Sequence, residues 1–168
     1  MGTKETVAKG LKKAARILPG VGSYQDKESA RESDKALRMA LGRRLDDALG
    51  KIEWLKTDQA KKGALLRLKD LDDLTRHLEK VSRLLEYAPR GYAPLFAQRE
   101  VDEDTLGELL ERDRSLTDLV SRVEGAVEAM TAERAVPTAE EVEGVRTFLS
   151  QIEQRLKDRE SFLAGQAS

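Results

Sequence analysis

Apolar residues recur along much of this chain at every third and fourth position, the spacing of helices with one buried stripe. The pattern is most regular near the C-terminus. Leu106, Leu109, Asp113, Leu116, Val120, Val123, Val127 and Met130 advance by alternating steps of three and four. Val142, Val145, Leu149, Ile152, Leu156, Arg159 and Leu163 do the same. Such alternation defines a heptad seam. Asp102 or Asp104 caps the first of these helices, which runs to about Arg134. The second ends near Ala164; Pro137 suits its first turn, while Thr138 and Glu141 have the spacing of a capping box.

Folding these two helices back at the Ala135–Pro137 turn opposes Met130 with Val142, Val127 with Val145, Val123 with Leu149 and Val120 with Ile152. Leu116 then meets Leu156, and Leu109 meets Leu163. The two polar interruptions, Asp113 and Arg159, fall opposite one another. A buried charge without a partner costs several kcal/mol, so each of these residues needs the other. An interhelical ion pair that fixes register is the expected reading. The competing one is a polar ligand-binding or enzymatic site inside the bundle around the same two residues.

Earlier in the chain, a helix is expected from about Tyr24 to Lys56, with Leu37, Leu41, Leu45, Ala48, Ile52 and Leu55 as its stripe. The cap-type residues Thr57 and Asp58 place a turn there. A further helix then runs from about Gln59 to Ala88, with Leu68, Leu71, Leu74, Leu78, Val81 and Leu85 inward. Periodicity alone fits a hairpin or one long rod over these two segments. Residues 88–104 read as a loop packed by an aromatic cluster of Tyr87, Tyr92 and Phe96. The whole is expected to be all-α: an antiparallel four-helix bundle of long hairpins over residues 23–168.

Residues 1–22 are different. Val7, Leu11, Ala14 and Leu18 share one face of a short amphipathic helix, with Lys9, Lys12, Lys13 and Arg16 on the other. Pro19, Gly20 and Gly22 then form a hinge, and Ser23 can cap the next helix. This arm holds five basic residues against one acidic, a net +4, leaving −5 on the remainder of a chain whose total is −1. A basic arm on an acidic body suits tethering to an anionic surface and not a nucleic-acid interface. The partner-binding residues expected are Lys9, Lys12, Lys13 and Arg16 with Leu11 and Leu18. The competing reading packs this helix back on the bundle. The N-terminus also matches the short myristoylation pattern through Gly2 and Thr6, a pattern often met by accident.

Chemistry is sparse. The chain has no cysteine and one histidine, His77, which is expected to flank a seam. Nucleophile elbows and phosphate-binding loops are absent, Gly20-Val21-Gly22 lacking the Lys-Ser/Thr that a P-loop needs. Metal-binding bundles present several inward carboxylates with Glu-x-x-His pairs, and no such pair occurs. No catalytic residue, metal or cofactor is expected, and no apolar run approaches a membrane span. The expectation is a non-catalytic adaptor or scaffold, cytoplasmic or peripheral at the inner face of the membrane, acting on a protein partner or as a homo-oligomer.

LPGVGSYQDKESARESDKALR, Leu18 to Arg38, approaches a Pro-Gly-x-x-Gly-Tyr segment, with Ser23 standing between Gly22 and Tyr24, and continues with Lys-Glu and Asp-Lys-x-x-Arg. GYAPLFAQREVDEDTLGELLERD, Gly91 to Asp113, adds a Gly-Tyr-x-x-x-Phe loop, an acidic helix start and a later Asp. Together, about a quarter of the chain, they resemble a pattern of small uncharacterised bacterial α-helical proteins. The resemblance implies a bacterial source and a helical bundle tied to membrane stress. It supplies no catalytic residues.

Overall fold

The computed structural model describes residues 27–87, 103–133 and 135–166. The basic arm (Lys9, Leu11, Lys12, Lys13, Arg16, Leu18), the hinge (Pro19, Gly20, Gly22) and the loop aromatics Tyr92 and Phe96 lie outside those residues, as do the side chains of Leu106 and Leu163. The described chain is all-helical: α1 (Lys27–Lys61), a short 3-10 helix (Leu65–Arg67), α2 (Leu68–Tyr87), α3 (Glu103–Ala132) and α4 (Ala139–Gln166). None of these helices is long and apolar enough to cross a membrane.

The α-helices pack as a bundle around one core. Leu45 and Ile52 of α1, Leu74 and Leu78 of α2, Val120 and Val127 of α3, and Val145 and Leu149 of α4 are all fully buried. Polar clasps join the helices at the rim of this core. Arg44 Nε donates to Glu124 Oε1 at 2.8 Å between α1 and α3. Glu153 on α4 meets His77 at 2.7 Å and Lys80 at 2.8 Å on α2, so His77 flanks the core. Burial alone would raise the Glu153 carboxyl, but these two partners hold it below the ordinary glutamate value.

The break between α1 and α2 does not fall at Thr57–Asp58. Both cap-type residues are satisfied inside the helix: Thr57 Oγ1 donates to the Glu53 carbonyl at 2.9 Å, and Asp58 Oδ2 accepts from Lys62 Nζ at 2.6 Å. The helix ends at Gly63, whose φ of +72° places it in the left-handed region. Gly63 N donates to the Ala60 carbonyl and Ala64 N to the Gln59 carbonyl, the paired bonds of a Schellman cap. Residues 27–61 and 68–87 are therefore two helices side by side and not one rod: Ser82 Oγ donates to Asp46 Oδ1 at 2.6 Å, and Lys56 meets Asp72 at 2.7 Å. A Cβ at Gly63 would touch nothing within 4 Å, so Gly63→Ala is penalised by its backbone conformation alone. The expected cost is about 1 kcal/mol in a urea unfolding titration.

The second turn matches its capping box. Thr138 N donates to Glu141 Oε2 at 2.7 Å and Glu141 N donates to Thr138 Oγ1 at 3.1 Å. Thr138 is thus the cap, and Pro137 lies just before the helix instead of in its first turn. Tyr87, at the end of α2, is 78% exposed, so its ring is not packed onto the bundle as an aromatic cluster would require.

Candidate functional site

Two to three turns from the end of the bundle where α1 begins, the apolar seam gives way to four charged residues. Asp34 and Arg38 come from α1, Asp113 from α3 and Arg159 from α4; all four are buried. Arg159 Nε donates to Asp113 Oδ1 at 2.8 Å, and its Nη2 donates to Asp34 Oδ1 at 2.7 Å. Arg38 Nε donates to Asp34 Oδ2 at 3.0 Å. Arg38 Nη1 donates to the Leu85 carbonyl at 3.2 Å, which ties α2 into the same layer. Asp34 thus bridges both guanidinium groups, and two acids balance two bases.

Heptad geometry explains why these residues meet. Stepping back from Leu41 by the three-and-four alternation of α1 lands on Arg38 and then Asp34. Leu37, read from sequence as the first stripe position, is only partly buried against the core. Arg38 and Asp34 occupy the seam instead. Both were missed because polar residues at the head of an apolar stripe read as solvent-facing. The signal that finds them is the alternation itself, continued without regard to polarity.

Asp113 is the weaker-held acid. Its Oδ1 takes the Arg159 bond, while its Oδ2 is buried without a hydrogen-bond partner. Burial pushes its carboxyl above the ordinary aspartate value, and Asp34 pushes the same way; the attraction of Arg159 opposes the shift without cancelling it. Beside it, the Arg112 guanidinium stacks over the Phe162 ring at 4.4 Å.

The two sequence segments that stand out as motifs converge here. Asp34 and Arg38 close the first, and Asp113 closes the second. What the layer can do chemically is limited, since its acids face its own bases. Among the described residues no group of three or more His, Asp or Glu side chains could hold a metal ion. Two open surface grooves lie elsewhere: one beside Trp54 and Gly50 between α1 and α3, the other beside Leu119 and Arg155 between α3 and α4. Neither is lined by a residue of the buried layer. Comparison of the chain with protein-family models, curated proteins and solved structures returns no match.

Proposed function

We propose that this chain is a non-catalytic helical adaptor or scaffold, a stiff bundle addressed by its basic N-terminal helix to an anionic membrane surface or a protein partner. The observation that carries the non-catalytic reading is the internal pairing of Asp34, Arg38, Asp113 and Arg159, which commits the charges of the core to one another. A buried polar layer of this kind sets register and alignment between helices, since a slip by one turn would strand charges in an apolar seam. The arm's net +4 against −5 on the remainder supports the address. On this reading the protein is bacterial, works at the inner face of the membrane, and multiplies a weak arm by self-association.

The bundle in this proposal is antiparallel within each hairpin. Support comes from partners whose numbers fall along one helix as they rise along the other: Arg38 with Leu85, Asp46 with Ser82, and Lys56 with Asp72. Asp113 with Arg159 has the sense expected of the second hairpin.

Lipid flotation tests the address. The full chain should float with anionic vesicles and release as salt is raised, whereas a chain lacking residues 1–18 should lose most of that binding. Unchanged flotation and partner capture after the deletion would remove the arm from the mechanism. The second reading, a ligand-binding or enzymatic bundle, is favoured by one observation, the unpartnered Oδ2 of Asp113. It fails if Asp113→Leu with Arg159→Leu keeps both the fold and the cellular phenotype.

A further inference from the structure

The two described turns of the bundle are built differently. Between α3 and α4 the chain has Pro137 and the reciprocal Thr138–Glu141 cap, which set a break there by their own chemistry. Between α1 and α2 it has neither. From Gln59 to Lys69 every residue except Gly63 is Ala, Leu, Gln, Lys or Arg, all strong helix formers. No side chain caps the 3-10 helix at Ala64, and no residue of that helix is buried. The reversal is held by backbone bonds, Gly63 N to the Ala60 carbonyl, Ala64 N to the Gln59 carbonyl and Leu65 N to the Gly63 carbonyl, and by the positive φ of one glycine. Local propensity and the tertiary fold therefore pull this segment in opposite directions.

We infer that this turn is an exchange hinge, through which two copies of this chain trade α1 to form a domain-swapped dimer. The inference rests on the self-association reading above and gives it a partner and a route. Opening the hinge gives up the three turn bonds, which helical bonds replace, and exposes no core, since nothing in the 3-10 helix is buried. The bonds that α1 makes to the rest of the bundle are recovered when the second copy's α1 docks in its place. They include Arg38 with the Leu85 carbonyl, Asp46 with Ser82, Arg44 with Glu124, and Asp34 with Arg159. The Lys62–Asp58 and Arg67–Asp70 ion pairs each span one turn of chain on a single side of Gly63, so neither resists opening. Exchange of an identical element between copies is a low-cost route to a dimer for this reason. α1 carries residues 1–26 with it, so the dimer holds two basic arms, the doubling that a weak arm needs.

The chain has no cysteine, so an engineered pair reports which copy α1 packs against. A Cβ at Gly42 on α1 would lie 2.8 Å from Glu86 Cγ on α2, within the reach of a disulfide between Gly42→Cys and Glu86→Cys. The full chain with both cysteines is refolded from urea at high concentration, and monomer and dimer are separated by size exclusion. Each fraction is then oxidised at low concentration and run on a denaturing, non-reducing gel. The monomer fraction should run as a monomer, and the dimer fraction as a covalent dimer. Without the cysteines, the isolated dimer should persist on dilution and release monomer only when urea opens the fold. Gly63→Ala should raise the dimer-to-monomer ratio after refolding about tenfold or more, because it penalises the reversal in both copies. Leu65→Gly with Leu66→Gly should lower the ratio by a similar factor, since glycine weakens the opened helix while no core side chain is lost.

The absence of any dimer, in the native chain and in Gly63→Ala alike, overturns the inference together with self-association. A dimer whose cysteines close within each copy, or one that falls apart on dilution, is a side-by-side dimer: self-association stands and the exchange is overturned. A dimer-to-monomer ratio that ignores both hinge variants overturns it as well. No lipid enters the experiment, so the arm's address is judged separately by flotation.

Discussion

Arg159→Met is expected to destabilise the protein by about 3–5 kcal/mol, because it leaves a buried carboxylate without its partner. Arg159 donates to both acids of the layer, Asp113 at 2.8 Å and Asp34 at 2.7 Å. Asp34 retains Arg38 after the substitution, but Asp113 loses the donor on Oδ1 while its Oδ2 already lacks one. A loss of this size is a large part of the ~5–15 kcal/mol that holds a typical domain together. Asp113→Ala should cost less, since Arg159 keeps its bond to Asp34 and the layer is left with one excess positive charge. Asp113→Leu combined with Arg159→Leu should be close to neutral, because Asp34 and Arg38 remain as a balanced pair and two apolar side chains complete the seam. Urea unfolding midpoints of the three variants, compared at a common slope, rank these costs. Equal losses for the single and double variants would show that Asp113 and Arg159 do not depend on one another.

That ranking differs from the one a two-residue pair would give, and the difference marks how far the sequence was legible. The seams of α3 and α4 could be read directly, since apolar residues at strict three-and-four spacing have few other uses, and their shared polar step led to Asp113 and Arg159. The Thr138–Glu141 capping box was also legible, because reciprocal caps depend on spacing alone. Asp34 and Arg38 were not, for the layer that accepts them is supplied by α3 and α4, distant in the chain. The α1 turn was misplaced by about five residues for a related reason. Thr57 and Asp58 resemble caps, but a helix interior satisfies both locally, through the Glu53 carbonyl and Lys62. Gly63 decides the turn because a Schellman cap needs positive φ, which glycine adopts without the Cβ penalty. Nothing in the periodicity marks Leu65 and Leu66 as exposed; that follows only once the chain is seen to reverse there.

Leu84 and Leu85 supply a control in which chemistry is held constant and only orientation changes. Leu85→Ala is expected to cost about 2–5 kcal/mol, the range for truncating a leucine in a packed core. Leu84→Ala should stay within about 1 kcal/mol, as a half-exposed side chain leaves little cavity. Leu85 is fully buried on the seam of Leu71, Leu74, Leu78 and Val81, while its neighbour is 40% exposed. One residue along a helix is a rotation of about 100°, so the gap between the two variants reads the orientation of α2 directly. Thermal melts should resolve it, since 1 kcal/mol moves the midpoint of a domain this size by about 2–4 °C. Equal costs would mean that α2 is turned about its axis, which would also carry the Leu85 carbonyl away from Arg38 Nη1. The Leu85 carbonyl accepts from Arg38 Nη1, so this residue stands at the height where the apolar seam meets the charged layer, and truncating it is expected to have a second effect. Water reaching Asp113 and Arg159 through the cavity would weaken their attraction by raising the local dielectric. Leu85→Ala and Arg159→Met should therefore cost less together than the sum of their separate losses, whereas Leu84→Ala, which truncates a half-exposed side chain, should add to Arg159→Met without coupling.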